Sequence, residues 1–284
     1  MYTIHQYRED IYKVVAFKGV RDPDSYLFRE TENVQHNDRK LDNNFSRARS
    51  MVLQYALCNP WDYFFTGTLD RKKFDRYNLD TYAGKLMQFI RDKRKKYAAS
   101  FQVLLVPEHH KDGAWHMHGL VFGLPETALC PFAPPAPQKL IENGFLNWPD
   151  YMEKFGFCSL APIRDPIATA FYISKYVSKD LSQRAKELGK HLYFHSRPLK
   201  KAEKASDVYW HNQRLEDCCT HEYDFCKVGM VEGVNWMFPY QWDGVDFPCE
   251  ELPSMRPIAE PLQDFDPQTI DPFWDGSFEQ STFL

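Results

Sequence analysis

Two histidines separated by one residue, His116 and His118, form the clearest metal-binding pattern in the sequence. They lie in a run that predicts a β-strand, and the two-residue period of a strand places both imidazoles on one face. Glu108 stands across a predicted hairpin, which can return its carboxylate beside the pair. Two imidazoles and a carboxylate leave positions open for a substrate oxygen, as in a catalytic metal site. His109 and His110 remain alternative ligands.

The run YISKYVSK contains the unit Tyr-x-x-Lys twice in succession. The surrounding stretch, 165–181, predicts a helix, in which four residues advance about 400°, so Tyr172 and Tyr176 share one face. Lys175 and Lys179 follow close to that face. A free phenol has a pKa of about 10 and is a poor nucleophile, but a neighbouring ammonium group and a metal-polarised phosphate would both favour its attack on phosphorus.

Each pattern alone has an ordinary structural interpretation. Two histidines in a strand can be plain surface residues, and the tyrosine helix can be an amphipathic helix whose phenols are half buried in a core. Their occurrence together with Glu108 favours a catalytic site, because the three features supply a metal, a nucleophile and its activation.

Strands and helices in regular alternation must position these residues. Short runs of β-branched, aromatic and aliphatic residues predict strands over 11–18, 61–69, 101–106, 116–122, 157–163, 191–195 and 222–231. Helical spacing of apolar residues predicts helices over 44–58, 80–97, 165–181 and 207–217, with Asp80 as an N-cap. The polar stretch 21–44 predicts a loop.

The net charge of −4 hides an uneven distribution. Ten acidic residues and one arginine lie in 243–284, which gives this stretch a charge of −9 and leaves +5 on the remainder. We predict an N-terminal strand and helix in 1–60, a main domain in 61–242, and an acidic, proline-rich, flexible tail in 243–284. A basic cleft can attract DNA despite a negative total charge.

Targeting and redox signals are weak. No apolar run reaches the roughly 18 residues that span a bilayer, and the N-terminus lacks a signal-peptide pattern. Seven cysteines in irregular spacing fit reduced thiols better than a disulfide framework. These features predict a cytoplasmic protein without a membrane partner.

The hairpin with Glu108 and the run WHMHGL, followed by the double Tyr-x-x-Lys helix, resembles the HUH endonuclease superfamily. Within it, the pattern is most similar to the two-tyrosine rolling-circle replication initiators of bacterial plasmids and phages. In that family a threonine-containing strand comes first, and FFTGTLD, with Thr66 and Thr68, stands in its place. Gly67 departs from the pattern, since the family usually has a bulky aliphatic residue there. The resemblance covers about 61–180.

This resemblance implies an α+β fold with a central antiparallel β-sheet flanked by helices, followed by the acidic C-terminal tail. It implies that Glu108, His116 and His118 bind Mg²⁺ or Mn²⁺. The tyrosines, assisted by Lys175 and Lys179, would nick one strand, leaving a 3′-OH and a 5′-phosphotyrosine, and would later rejoin it.

The expected partners follow from the same resemblance. They are single-stranded or supercoiled origin DNA, contacted by Arg47, Arg49, Thr66 and Thr68, and a host helicase and polymerase. The location would be the cytoplasm of a bacterial host cell.

Three other functions remain open. A single-strand transposase or relaxase would use the same chemistry, although relaxases usually carry their tyrosine before the histidines. A repressor with a structural metal would bind DNA without a covalent adduct. A hydrolase of small phosphoesters would not need the tyrosines.

Overall fold

The computed structural model describes residues 1–8, 10–18, 36–97, 100–109, 112–177, 191–208, 213–223, 226–233 and 256–258. Lys179, His110 and most of the predicted tail lie outside these residues. The chain divides into two compact units, Met1–Val34 with Lys201–Glu260, and Gln35–Lys200 with Pro261–Leu284. The domain boundaries drawn from the sequence after residues 60 and 242 stay predictions.

The described secondary structure comprises thirteen strands and six α-helices. The strands are β1 (Tyr2–Gln6), β2 (Ile11–Phe17), β3 (Tyr63–Thr68), β4 (Gln102–His109), β5 (Trp115–Phe122), β6 (Cys130–Pro131), β7 (Leu146–Asn147), β8 (Cys158–Pro162), β9 (Phe194–His195), β10 (Glu203–Val208), β11 (His221–Glu222), β12 (Cys226–Glu232) and β13 (Arg256–Pro257). The helices are α1 (His36–Cys58), α2 (Leu79–Lys96), α3 (Gln138–Glu142), α4 (Pro149–Lys154), α5 (Pro166–Lys175) and α6 (Gln213–Asp217). In the described residues, no helix is long and apolar enough to cross a membrane.

The larger unit is built on a seven-stranded antiparallel sheet in the order β6-β7-β8-β3-β5-β4-β9. The strands β3, β4, β5 and β8 are buried along most of their length, as expected for a sheet covered on both faces. Helices α1 and α5 contact each other and touch β4 and β5. The predicted α+β fold with an antiparallel sheet and flanking helices is confirmed.

The opposite face of the same sheet is covered by aromatic side chains from α2 and α4. Phe89 of α2 lies 5.0 Å from Trp148 and 5.4 Å from Phe155, measured between ring centroids. Tyr151 of α4 stands edge-on to Phe65 of β3 at 5.2 Å. Large rings that bury this much area stabilise the sheet from behind, so the face toward α1 and α5 carries the polar side chains.

Gly67 has a steric reason on this aromatic face. A Cβ at Gly67 would lie 2.5 Å from both the Tyr151 hydroxyl oxygen and Cζ of Phe65. Real Cβ atoms do not approach other atoms so closely, hence the bulky aliphatic residue of the resembling family cannot fit. The ring of Tyr151 occupies the space instead.

We expect Gly67→Ala to lower the free energy of unfolding by about 1–3 kcal/mol, the usual cost of overpacking. Urea unfolding of the full chain measures it. Gly84→Ala is the matched control, because a Cβ on exposed, helical Gly84 meets nothing within 4 Å. That control should raise stability by roughly 0.5–1 kcal/mol. Equal midpoints for wild type and Gly67→Ala would contradict the steric explanation.

Two helix boundaries differ from the sequence-based prediction. Helix α1 begins at His36, eight residues before the predicted start, because Leu41 and Phe45 continue the apolar spacing and no proline or glycine interrupts it. Helix α2 is capped by Asn78 rather than Asp80, since the Asn78 side chain accepts a hydrogen bond from the Thr81 amide at 3.0 Å.

The smaller unit joins the two ends of the chain in one antiparallel sheet. Its order is β10-β1-β2-β12-β11, and β13 pairs with β12. The helix predicted over 207–217 is wrong in its first half, because 203–208 pairs with β1 and only α6 is helical. Pairing with a distant strand outweighs local propensity here. The core contains Tyr2, Ile4, Tyr12, Val14, Ala16, Leu215, Cys218 and Val231.

Candidate active site

Polar side chains from three neighbouring strands meet at one end of the larger sheet. In the register of β4 and β5, Glu108 stands directly opposite His116. In the register of β3 and β5, Thr66 stands opposite His118 and Thr68 opposite His116. Because directly opposed residues point to the same side of a sheet, all five side chains lie on one face. This is the face toward α1 and α5.

His118 is held at both ring nitrogens. Its side chain is 0% exposed, Nε2 lies 2.8 Å from Oε2 of Glu108, and Nδ1 lies 3.3 Å from Oγ1 of Thr66. The contact with Glu108 is diagonal, since Glu108 pairs with His116 two residues away, and long side chains bridge such diagonals. A buried imidazole bonded on both sides has a fixed ring plane and direction.

The two tyrosines of the repeated unit lie against this imidazole. Helix α5 begins at Asp165, whose side chain accepts the Ala168 amide at 2.9 Å, and Tyr176 is its C-cap. The hydroxyl oxygens of Tyr172 and Tyr176 are 2.7 Å apart. The Tyr176 ring stacks on His118 with 4.2 Å between centroids and 15° between planes. The shared face expected for the two phenols is therefore present, directly above the histidine strand.

The other predicted site residues lie at differing distances from this centre. Lys175 is half-buried beside the tyrosines at the end of α5. Thr68 donates to the Phe157 carbonyl at 3.1 Å and so links β3 to the residue before β8. On α1, Arg47 is exposed and Arg49 is half-buried. Sequence reasoning placed Thr66 at the DNA and missed its contact with His118.

The metal site is not assembled as a three-ligand cluster. In the part of the chain that the structure describes, no three His, Cys, Asp or Glu side chains have the arrangement to hold a metal ion. His109, the described alternative ligand, stands edge-on to Trp115 at 4.9 Å. Glu108 and His118 touch directly. A cation between them would require this hydrogen bond to open, while the imidazole and carboxylate donors suit Mn²⁺ or Mg²⁺.

A second tyrosine pair occupies the opposite face and clarifies the first. The hydroxyls of Tyr82 and Tyr151 are 2.5 Å apart, and Tyr82 also donates to the Gly67 carbonyl at 3.3 Å. Burial raises the pKa of both phenols above the usual value, because the charged phenolate loses its hydration. These two stay neutral, whereas Tyr172 and Tyr176 are half-buried.

The segment that contains this site also has a counterpart among known proteins. Residues 62–181 match the model of the replication-associated protein family that is named after ORF2. The match begins just before β3, ends beyond α5 and therefore contains every described residue of the polar face. It covers less than half of the chain. No curated protein and no solved structure matches the chain. The family match supports a replication initiator that acts on DNA.

Proposed function

We propose that this protein is a rolling-circle replication initiator that nicks and rejoins one DNA strand through a 5′-phosphotyrosine. The observation that carries the proposal is the stacking of Tyr176 on His118, with Tyr172 hydrogen-bonded to Tyr176. Two phenols, an imidazole and a carboxylate converge on one half-open face. The similarity to replication-associated proteins agrees with DNA as the substrate.

In the proposed reaction a tyrosine hydroxyl attacks the scissile phosphorus. A bond forms between the phenolic oxygen and phosphorus, and the bond from phosphorus to the 3′ oxygen breaks. The phenol loses its proton, and the departing 3′ oxygen takes one up and becomes a 3′-OH. Rejoining reverses these steps, with a 3′-OH attacking the phosphotyrosine, so the phosphodiester energy is retained and no external cofactor is consumed.

Glu108, His116 and His118 are the residues that would hold a divalent cation, Mg²⁺ or Mn²⁺. Such an ion polarises the scissile phosphate and offsets the charge that builds up on it in the transition state. Thr66 accepts a hydrogen bond from Nδ1 of His118 in the tautomer that leaves the lone pair of Nε2 directed toward Glu108. Thr66 is then a positioning residue.

The contact between the two phenols has a chemical use. When one hydroxyl loses its proton, the other can donate a hydrogen bond to the phenolate at the present separation of 2.7 Å. Lys175, which is half-buried beside them, and Lys179 add positive charge that favours the same ionised form. Each phenol thus supports the other as nucleophile, which suits two successive strand transfers.

The partners proposed for this activity are single-stranded or supercoiled origin DNA, a host helicase and a host polymerase that extends the 3′-OH. Arg47, which is exposed on α1, and Arg49 are proposed to contact the phosphate backbone. The setting is the cytoplasm of a bacterial host.

The deciding experiment incubates the full chain with a labelled single-stranded oligonucleotide pool and Mn²⁺, then separates products on a denaturing gel. A labelled band at the mass of protein plus DNA is the expected result. DNA binding without an adduct would instead favour a repressor, and cleavage without an adduct would favour a phosphoesterase. Strand transfer between different oligonucleotides without circle release would favour a transposase or relaxase.

The role of Thr66 yields a separate prediction. Thr66→Val, which keeps the shape but removes the hydroxyl, should lower Mn²⁺ affinity and adduct formation about 10- to 100-fold, as for other partners of metal-bound histidines. Thr66→Ser should restore most of both, because the hydroxyl can still meet Nδ1 of His118. Thr68→Val is the control on the same strand. Equal metal affinity for Thr66→Val and wild type would remove Thr66 from this role.

A further inference from the structure

The loop between β3 and α2, residues 69–78, lies at the same end of the sheet as the candidate active site. It follows Thr68, which stands opposite His116. The Trp115 amide donates to the Arg76 carbonyl at 2.9 Å, so the loop runs beside the start of the histidine strand. The next residue, Tyr77, is therefore within about 10 Å of His116 along the backbone, given 3.8 Å between successive Cα atoms.

Internal hydrogen bonds fix the conformation of this loop. The Phe74 amide donates to the Asp70 carbonyl at 3.0 Å, and the Tyr77 amide donates to the Asp75 side chain at 2.9 Å. Arg76 bridges to Asp112 of the β4–β5 turn at 3.2 Å. A loop held at both sides binds a ligand with little further loss of conformational entropy.

Tyr77 presents one ring face to solvent. It is 65% exposed, the highest value among the exposed large hydrophobic side chains of the described residues. The other side of the ring rests on Gly113, where a Cβ would lie 3.3 Å from Cε1 of Tyr77. Gly113 has φ +87°, a conformation that glycine adopts freely, so the backbone of the β4–β5 turn supports the ring.

The solvent side of the loop is positively charged. Arg71, Lys72 and Lys73 are all exposed. Asp70, the carboxylate next to them, accepts a hydrogen bond from the Lys72 amide at 2.8 Å and is thereby directed at the backbone. Among the described residues, no carboxylate forms an ion pair with Arg71 or Lys72. An exposed ring beside unpaired cations matches the base and phosphates of single-stranded nucleic acid.

We infer that the 69–78 loop binds the single-stranded DNA that flanks the scissile phosphate, with an unpaired base stacked on Tyr77 and neighbouring phosphates on Arg71 and Lys72. In a duplex both faces of a base are covered by its neighbours, so this platform selects unpaired strands. The inference rests on the proposed function for the position of the scissile phosphate. The binding step itself involves neither the metal nor the tyrosines of α5.

Anisotropy of a labelled oligothymidylate, titrated with full-length protein in EDTA, tests the stacking. Tyr77→Leu should bind about tenfold more weakly, in line with the loss of one base–aromatic stack. Tyr77→Phe should bind as wild type, because the ring face remains. Tyr223→Leu is the matched control, since Tyr223 is 57% exposed in the smaller unit. Binding of duplex DNA should not change in Tyr77→Leu.

The salt dependence tests the phosphate contacts. The double variant Arg71→Gln/Lys72→Gln should lower the slope of log K against log salt by about 1.4, since each single-strand phosphate contact contributes about 0.7. Arg164→Gln/Lys139→Gln removes the same charge from exposed positions away from the loop and should leave the slope unchanged. Equal slopes for the two double variants would overturn the assignment of phosphates to this loop.

The outcomes separate this inference from the proposed function. No detectable binding of oligothymidylate by wild type, or equal affinity for wild type and Tyr77→Leu, overturns the inference even if covalent adducts form. A tenfold loss in Tyr77→Leu together with no adduct from wild type keeps the platform and removes the nicking activity. An equal loss in Tyr77→Leu and Tyr223→Leu also overturns the inference, because it shows no preference for the loop.

Discussion

The double variant Tyr172→Phe/Tyr176→Phe is expected to form no covalent adduct with DNA, while each single variant keeps part of the activity. Phenylalanine preserves the ring that stacks on His118, so only the hydroxyls are lost. Removal of a catalytic nucleophile can reduce a rate by about a millionfold. The double variant should therefore fall to background, at least about a thousandfold below wild type.

The single variants should differ from each other. Tyr176 stacks on His118, whereas the Tyr172 ring is edge-on to Phe64 at 5.6 Å. We expect Tyr176→Phe to reduce the first nick more than Tyr172→Phe. Both should impair strand transfer, because each removes one of two hydroxyls that now lie 2.7 Å apart. Adducts are scored on a denaturing gel and assigned to a tyrosine by peptide mass.

The tyrosine pair on the other face provides the control. Tyr151→Phe breaks the 2.5 Å contact with Tyr82, so it should cost about 1 kcal/mol of stability yet leave adduct formation intact. An adduct in the double variant would place the nucleophile elsewhere. If labelled DNA is found on one tyrosine alone and the other Phe variant is fully active in strand transfer, the protein is a one-tyrosine initiator.

The parts of the site that follow from local periodicity could be predicted from the sequence. The two-residue period of β5 and the return of the hairpin are enough to put Glu108 beside His116 and His118, and the structure pairs them so. The helical period is likewise enough to put Tyr172 and Tyr176 on one face. Such rules hold because backbone geometry alone determines which side chains are neighbours.

The contacts between distant stretches could not be predicted in this way. Thr66 meets His118 only because β3 lies beside β5, and strand order is not encoded in any local pattern. The space that excludes a side chain at Gly67 is filled by Tyr151, which is far away in the sequence. The same holds for β10, which becomes a strand by pairing with β1 at the other end of the chain.

Removal of the metal or of its proposed ligands is expected to abolish nicking and leave DNA binding. EDTA should stop adduct formation while binding of single-stranded DNA persists through lysine and arginine contacts to phosphate. His116→Ala and His118→Ala should each lower the rate at least about a hundredfold, the scale for one lost transition-state stabiliser. Glu108→Ala should weaken metal affinity, because its carboxylate is the anionic donor of the set.

A second readout keeps the metal prediction independent of catalysis. Mn²⁺ should raise the Tm of wild type, since a ligand that binds only the folded state stabilises it, and this rise should disappear in His118→Ala. His109→Ala is the control within the same hairpin, because His109 contacts Trp115 and is not needed in the proposed set. If Glu108→Ala binds Mn²⁺ as wild type does, His110 is the next ligand to test. Near-normal cleavage by both His116→Ala and His118→Ala would rule out the site, because a buried imidazole that touches Glu108 and Tyr176 would then serve packing alone.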